Sequence, residues 1–182
     1  MRRFSGVIIL AALCAPAATS GGTTVTLDGL KSDAPAGWKE KTSPFKTRLH
    51  TFVVPKTEGD ERDAEVQVIF FGKDAGGGLQ ENVKRWKSMF DPPEGKKIDE
   101  VAKQETFKVG KAEVTVLDIS GTYLEKFPPF DPNAKTTRRP DYRRLNVYFD
   151  SENGPFFIIF VGPAKTVGQN KKSFDDWLKA FK

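Results

Sequence analysis

The sequence contains one cysteine, Cys14, and one histidine, His50. A single cysteine cannot form a disulfide within the chain, and Cys14 lies in a segment that we expect to be removed. Thiol catalysis, cysteine-based zinc sites and redox switching are therefore excluded for the mature chain. His50 has neither a nucleophile nor an orienting carboxylate near it in the sequence, so a catalytic triad has no local support. We predict no cofactor and no metal site.

The sequence also lacks an apolar run of the roughly 20 residues that are needed to span a bilayer. Its apolar run at residues 7–13 is short, follows the basic residues Arg2 and Arg3, and precedes Ala-Pro-Ala at residues 15–17. A basic head, a short apolar run and a small-residue cleavage site are typical of a secretory signal peptide. We predict a signal peptide over residues 1–17 and no transmembrane span.

Removal of this signal peptide leaves a single predicted domain over residues 18–182 in a periplasmic or extracellular location. The alternative is a lipoprotein that is anchored through an acylated Cys14. Lipoprotein signals have a small residue just before the cysteine, and Leu13 does not fit that pattern.

Neither sign of charge dominates the sequence, which has 29 Lys and Arg residues and 24 Asp and Glu residues. Loss of Arg2 and Arg3 with the signal peptide takes the formal net charge from +5 to about +3. Domains that bind nucleic acid concentrate basic charge on one face. The composition therefore predicts no nucleic-acid partner.

Residues 64–90 form the stretch around which the rest of the chain is organised. Alternating and then continuous apolar residues at 64–71 predict a buried strand. Glycines stop that strand, and Asp91-Pro92-Pro93 ends the following segment. The apolar residues between these stops are spaced by four, three and four, which predicts one buried helical stripe. The members of this stripe are Leu79, Val83, Trp86 and Phe90.

The remaining patterns predict further strands and a second helix. Gly110-Lys111 suits a two-residue turn between paired strands, and residues 155–161 are apolar on both faces, as in a central strand. The predicted strands are residues 23–30, 48–54, 100–109, 111–123, 143–150 and 155–161. The predicted helix covers residues 166–182, begins or restarts at Ser173, and buries Phe174, Trp177, Leu178 and Phe181.

Two loops resemble ligand loops in composition. The glycines at 76–78 precede a helix, but they lack the lysine and Ser/Thr of a phosphate-binding loop, which favours a plain hinge. The acidic loop at residues 58–63 could offer oxygens to calcium, but it lacks the EF-hand spacing and contains Arg62. A solvated hairpin turn is the preferred interpretation of that loop.

Strands joined by tight turns make the predicted sheet mainly antiparallel, and a strand that is apolar on both faces needs cover on both sides. The predicted fold class is therefore α+β. Its predicted architecture is a three-layer α/β/α sandwich around a mainly antiparallel sheet.

This order of elements resembles the PsbP-like superfamily, which includes the photosystem extrinsic P-subunit and the Ran-binding Mog proteins. The resemblance rests on Pro35-Ala36-Gly37-Trp38 after an early strand and on an apolar strand before a C-terminal helix. The stretches FFG…GGG…N…RW and FVGPAKTV are similar to a group of uncharacterised bacterial secreted proteins. The resemblance implies a noncatalytic binding or assembly domain. It carries over no functional residues, because the superfamily has no shared catalytic set.

Residues 125–141 break every periodic pattern, and we predict that the long loop at residues 125–144 carries the main interaction surface. Prolines at four positions limit the freedom that such a loop would lose on binding. Phenylalanines can anchor in a partner's pocket, and arginines can grip carboxylates or phosphates in pairs. The candidate binding residues are Phe127, Phe130, Arg138, Arg139, Arg143 and Arg144.

The predicted function is an exported noncatalytic binding or assembly module of the cell envelope, whose partner is an unknown protein or envelope component. The alternative is an envelope hydrolase with a carboxylate-based site that uses Asp118 or Glu113. These two acids are an odd number of residues apart, so a regular strand points them to opposite faces. A third hypothesis is contact with an anionic membrane surface through Phe127, Phe130 and the arginines.

Overall fold

The structure, a computed structural model, describes residues 22–128, 131 and 133–182. The predicted signal peptide, Cys14 and Phe130 lie outside the described residues. The described strands are β1 Thr24–Leu27, β2 Leu30–Asp33, β3 Lys39–Glu40, β4 Arg48–Val54, β5 Ala64–Phe70, β6 Phe90–Asp91, β7 Ala102–Val109, β8 Ala112–Phe127, β9 Lys135–Ser151 and β10 Gly154–Pro163. The described helices are α1 Leu79–Lys87, α2 Ile98–Val101 and α3 Ala164–Lys179.

Eight strands form one sheet in the order β3-β4-β5-β10-β9-β8-β6, with β7 also paired to β8. Every pairing in this sheet is antiparallel. Strand β8 is 16 residues long, and along one edge it pairs first with β7 and then, at Thr122 and Tyr123, with β6. The predicted mixed α and β fold with a mainly antiparallel sheet is confirmed.

The strand predicted at residues 23–30 is instead the first half of a two-stranded ribbon, β1 with β2. Its turn is Asp28-Gly29, and both residues have positive φ, 47° and 85°. This is the backbone of a two-residue hairpin turn, for which Asp-Gly is a favoured sequence. The prediction missed the turn because it followed the apolar alternation alone.

Helix α3 packs on the sheet face that carries the larger hydrophobic cluster. Every second residue of the central strands points to this face, for example Phe52 of β4 and Phe160 of β10. Trp38 lies between their rings and those of Phe174 and Trp177 on α3, with ring centroids 5.4 to 6.3 Å apart. Trp38 is partly buried and packs against this core.

A second, smaller cluster lies against helix α1. The intervening positions of the same central strands supply it, including Ile69 of β5 and Phe157 of β10. Strand β10 is thus central and apolar on both faces, as predicted. Trp86 in this cluster and Trp177 in the larger one are each 3% exposed, so their prediction as core residues is confirmed.

The helix boundaries differ from the predicted ones. Helix α1 ends at Lys87, whereas Phe90 begins β6 and is buried opposite Tyr123. The stripe looked continuous because Phe90 reaches the same apolar cluster from a strand. Helix α3 begins at Ala164 and continues through Ser173, so the predicted start or restart there was wrong.

The prediction of a long irregular loop at residues 125–144 was also wrong. Most of it is a hairpin, because β8 runs to Phe127 and β9 starts at Lys135. Pro140 had argued against a strand, since proline cannot donate a backbone hydrogen bond. It is tolerated because it lies past the last residue of β10, which pairs with Tyr142, so that edge of β9 has no partner strand there.

Candidate functional site

The outer part of the β8–β9 hairpin projects past the end of β10, whose last pairing is Pro163 with Tyr142. We call residues 122–127 and 135–139 the arm. Pro140 and Asp141 at its base stand opposite Thr122 alone, and Asp141 has a φ of 54°. Such an extra residue is a β-bulge, which bends and twists the strand that contains it. Beyond Leu124, whose N–H donates to the Met89 carbonyl beside β6, the arm is a two-stranded ribbon that extends past the rest of the sheet.

Phe127 lies at the outer end of the arm and is 69% exposed. It stands opposite Lys135, and Lys126 beside it is also exposed. Among the described residues, Leu49 at 44% is the other exposed large hydrophobic side chain. The outer end of the described arm thus presents an exposed aromatic ring, with one exposed lysine opposite it and another before it in the chain.

Arg138 and Arg139 are both held by carboxylates of the protein. Arg138 Nη1 lies 2.5 Å from Asp91 Oδ2 of β6. Arg139 donates from Nε and Nη2 to Glu125 Oε2, at 2.9 and 2.8 Å. These ion pairs tie the two strands of the arm to each other and the arm to β6. The two guanidinium groups do not act as a pair, because successive residues of a strand point to opposite faces.

Arg143 faces the α3 side of the sheet and pairs with Asp118 of β8. Its Nε and Nη2 donate to the two carboxylate oxygens at 2.8 and 2.6 Å. The hydrogen bond to Asp118 raises the pKa of Arg143 above its ordinary value, against the opposing effect of burial. The structure does not bring Asp118 together with Glu113, which lies on the opposite face of β8 and is exposed.

Arg144 faces the α1 side of the sheet and is 6% exposed. Its Nη1 donates to Tyr123 Oη at 3.2 Å and contacts Met89 Sδ at 3.1 Å, and its guanidinium carbon lies 5.5 Å from the centre of the Tyr123 ring. Within the described part of the chain, no carboxylate oxygen lies within 4.0 Å of Arg144. Burial lowers the pKa of Arg144, the Tyr123 hydroxyl raises it, and the charges of Arg85 and Arg48 lower it further.

Two more arginines therefore belong to the surroundings of Arg144. Arg48 of β4 lies over the Phe45 ring at 4.5 Å, and its nearest carboxylate oxygen, on Glu65, is 3.9 Å away. Burial lowers the pKa of Arg48. Arg85 of α1 is exposed and donates to Asn82 Oδ1. We call Arg48, Arg85 and Arg144 the arginine cluster.

The glycines before α1 serve as a hinge that is closed by a side chain. Asn82 is fully buried, and its Nδ2 donates to the carbonyl oxygens of Gly76, Gly77 and Gly78 at 2.9 to 3.1 Å. These carbonyls are acceptors, so the loop directs them at an amide rather than offering donors to a phosphate. The hinge interpretation of the triple glycine accounts for this geometry.

No protein-family model matches this chain, and no curated protein sequence matches it.

The structure contains no helix, within its described residues, of the length and apolarity that crossing a membrane requires. In the same part of the chain, no three His, Cys, Asp or Glu side chains converge as a metal site would need. The acidic loop at 58–63 connects β4 to β5, and Asp60 accepts hydrogen bonds from the backbone N and the hydroxyl of Thr166.

Sequence reasoning placed four arginines in one surface and missed the arginine cluster. Arg48, Arg85 and Arg144 belong to three distant elements, and each looks like an ordinary charged residue in its own segment. The one local signal was the position of Arg144 in the sequence. It directly precedes Leu145, where the strand becomes buried, which indicates that Arg144 is buried too.

Proposed function

We propose that the protein is an exported, noncatalytic binding or assembly module of the cell envelope, and that the arm is its contact surface. The observation that carries the proposal is Phe127, a large aromatic side chain left 69% exposed at the end of a projecting ribbon. Exposed aromatic groups are costly to leave in water and are enriched at the centres of protein interfaces.

Ion pairs along the arm support this role. Arg139 pairs with Glu125 across the ribbon, and Arg138 pairs with Asp91 of β6 at an exposed position. A contact surface that is already ordered loses less conformational entropy on binding. The exposed cations Lys126 and Lys135 beside Phe127 favour a partner with acidic groups around an apolar pocket.

We further propose that the fold is PsbP-like, a three-layer α/β/α sandwich. The position of α3 against the larger cluster and of α1 against the smaller one supports this arrangement. The resemblance of Pro35-Ala36-Gly37-Trp38 supports it as well, since Trp38 packs against the core beside α3. An experimental structure, superposed on members of that superfamily, is the test.

The alternative of a carboxylate-based hydrolase receives no support from the arrangement of its candidate acids. Asp118 accepts two hydrogen bonds from Arg143, and Glu113 lies on the other face of β8. Glycoside hydrolysis needs two carboxyl groups that flank one bond.

The test compares Phe127→Ala with wild-type protein as bait in envelope extracts of the native source. We expect Phe127→Ala to lose the co-purifying partner. Its free energy of unfolding should stay within about 0.5 kcal/mol of wild type, because the removed ring is exposed. Leu49→Ala is the matched control, since it removes the other exposed large hydrophobic side chain, and it should retain the partner.

Two results would count against the proposal. Unchanged partner capture by Phe127→Ala would show that the arm tip is not the contact. Binding to anionic vesicles that depends on Phe127, without any protein partner, would assign the arm to a membrane surface instead.

A further inference from the structure

Arg144 is a buried cation whose charge the surrounding protein does not balance. Its contacts are a thioether and a phenol hydroxyl, and neither carries a negative charge. Removing an ionised group from water costs several kcal/mol unless an opposite charge or several hydrogen bonds compensate. Its Nε is buried and has no hydrogen-bond partner among the described residues. The Tyr123 ring, 5.5 Å from the guanidinium carbon, compensates the charge only in part, and the Nε–H donor is left unpaired within the described chain.

Neighbouring residues increase this imbalance. The positive charges of Arg48 and Arg85 act on Arg144 and lower its pKa. The carboxylate of Glu65 is 3.9 Å from Arg48 and also pairs with Lys41, so it is shared between two cations. Arg144 is buried, Arg48 is mostly buried and Arg85 is exposed, so the added positive potential is strongest at the buried end of the cluster.

We propose that the arginine cluster binds a small oxyanion, a phosphate or carboxylate group, in contact with Arg144. A guanidinium group presents five N–H donors in a planar fork that suits such groups. Arg144 uses only Nη1 within the described protein. The Tyr123 hydroxyl accepts from Arg144, so its own proton is available to the anion. The anion supplies the charge that the protein lacks.

Arg48 connects this cluster to the surface. It also lines a pocket of about 450 Å³ at the β3–β4 edge of the sheet, together with Lys41, Ser43 and Thr51. Thr51 is buried, and its hydroxyl has no hydrogen-bond partner in the part of the chain that the structure describes. One acid, Glu40, also lines this pocket, and its two oxygens are hydrogen-bonded to Thr23 and His50. Two cations and three hydroxyl groups against this one acid favour the approach of an anion over that of a cation. The proposal does not depend on the arm as a contact surface.

The test is a titration of the ¹⁵N-labelled protein followed through the arginine Nε–Hε signals by NMR. Inorganic phosphate and acetate are the two probes, and chloride at equal ionic strength is the reference. We expect a saturable shift of the Arg144 signal, which the Arg144→Met variant identifies by its loss. A response to phosphate assigns the site to phosphate groups, and a response to acetate assigns it to carboxylates.

A pair of variants on α1 provides the decisive comparison, because both residues are exposed and folding should survive either change. Arg85→Gln should weaken the apparent Kd at least about tenfold, since it removes one charge from the cluster. Lys84→Gln removes an adjacent charge that is not in the cluster, and it should bind as wild type. Equal effects of the two variants, or no saturable shift beyond that of chloride, would overturn the proposal. Phe127→Ala should bind the anion normally, so failure here leaves the arm proposal intact.

Discussion

Arg143 and Arg144 are neighbours in the chain but differ completely in their surroundings. A strand points successive side chains to opposite faces, so one guanidinium group lies beside α3 and the other beneath α1. Arg143 has a carboxylate that matches its geometry, and Arg144 has none in the described chain. The sequence had suggested that neighbouring arginines bind one anion as a pair. Arg143 and Arg144 do not, because they lie on opposite faces of the sheet.

We predict that the Arg143–Asp118 ion pair stabilises the fold. Both side chains are mostly buried, and both hydrogen bonds have good geometry. Asp118→Ala should lower the free energy of unfolding by about 1–3 kcal/mol, because it leaves a largely buried guanidinium group without its acceptor. Urea melts measure this loss.

A double-mutant cycle with Arg143→Ala separates the pair from other effects of each change. If the pair matters, the two single changes should not add, and the coupling energy should exceed about 0.5 kcal/mol. Strict additivity would mean that solvent replaces each partner at no cost.

At the scale of elements, helix α3 obtains its N-terminal cap from a distant loop. Its first residue follows Pro163, and no side chain in its first turn caps it. Asp60 of the β4–β5 loop instead accepts from the Thr166 N–H at 2.9 Å and from the Thr166 hydroxyl. The acidic loop that looked merely solvated thus satisfies a free donor of the helix and places a negative charge at its positive end.

We predict that Asp60→Ala costs about 1–2 kcal/mol of stability, the usual range for the loss of a helix cap. Glu61→Ala is the matched control, because Glu61 is exposed in the same loop. Its effect should stay within about 0.5 kcal/mol. Chemical denaturation of both variants gives the comparison, and equal losses would show that the cap contributes nothing.

At the scale of the whole molecule, residues 22–182 contain no cysteine, so two hydrophobic clusters hold the described chain together without a disulfide. Aromatic rings form much of the larger cluster, where Trp38, Phe160, Phe174 and Trp177 contact one another. Each aromatic side chain buries a large apolar area, and this burial stabilises a domain whose described residues contain no disulfide.

We expect the exported protein to begin near residue 18 and to contain no thiol. The basis is the basic head, the short apolar run and the Ala-Pro-Ala at residues 15–17. Intact mass of the exported form and its inertness to a thiol reagent are the measurements. A chain that begins at Cys14 with added lipid mass would make this prediction wrong.

The sequence by itself determined the local elements of this protein. Alternation and helical spacing identified β4, β5, β10 and the buried faces of both longer helices, because side-chain direction follows directly from backbone period. Glycine and proline marked most of the turns for the same local reason.

Only the tertiary structure decided which elements meet and therefore where the candidate sites are. Strand period fixes the face of a residue but not its neighbour, so β10 beside β5 and Asp91 beside Arg138, 47 residues away, could not be predicted. The arm was hidden because prolines suppress a strand prediction, although an unpaired edge tolerates them. The arginine cluster was hidden because burial of Arg144 depends on a helix and strands that are far apart in the chain.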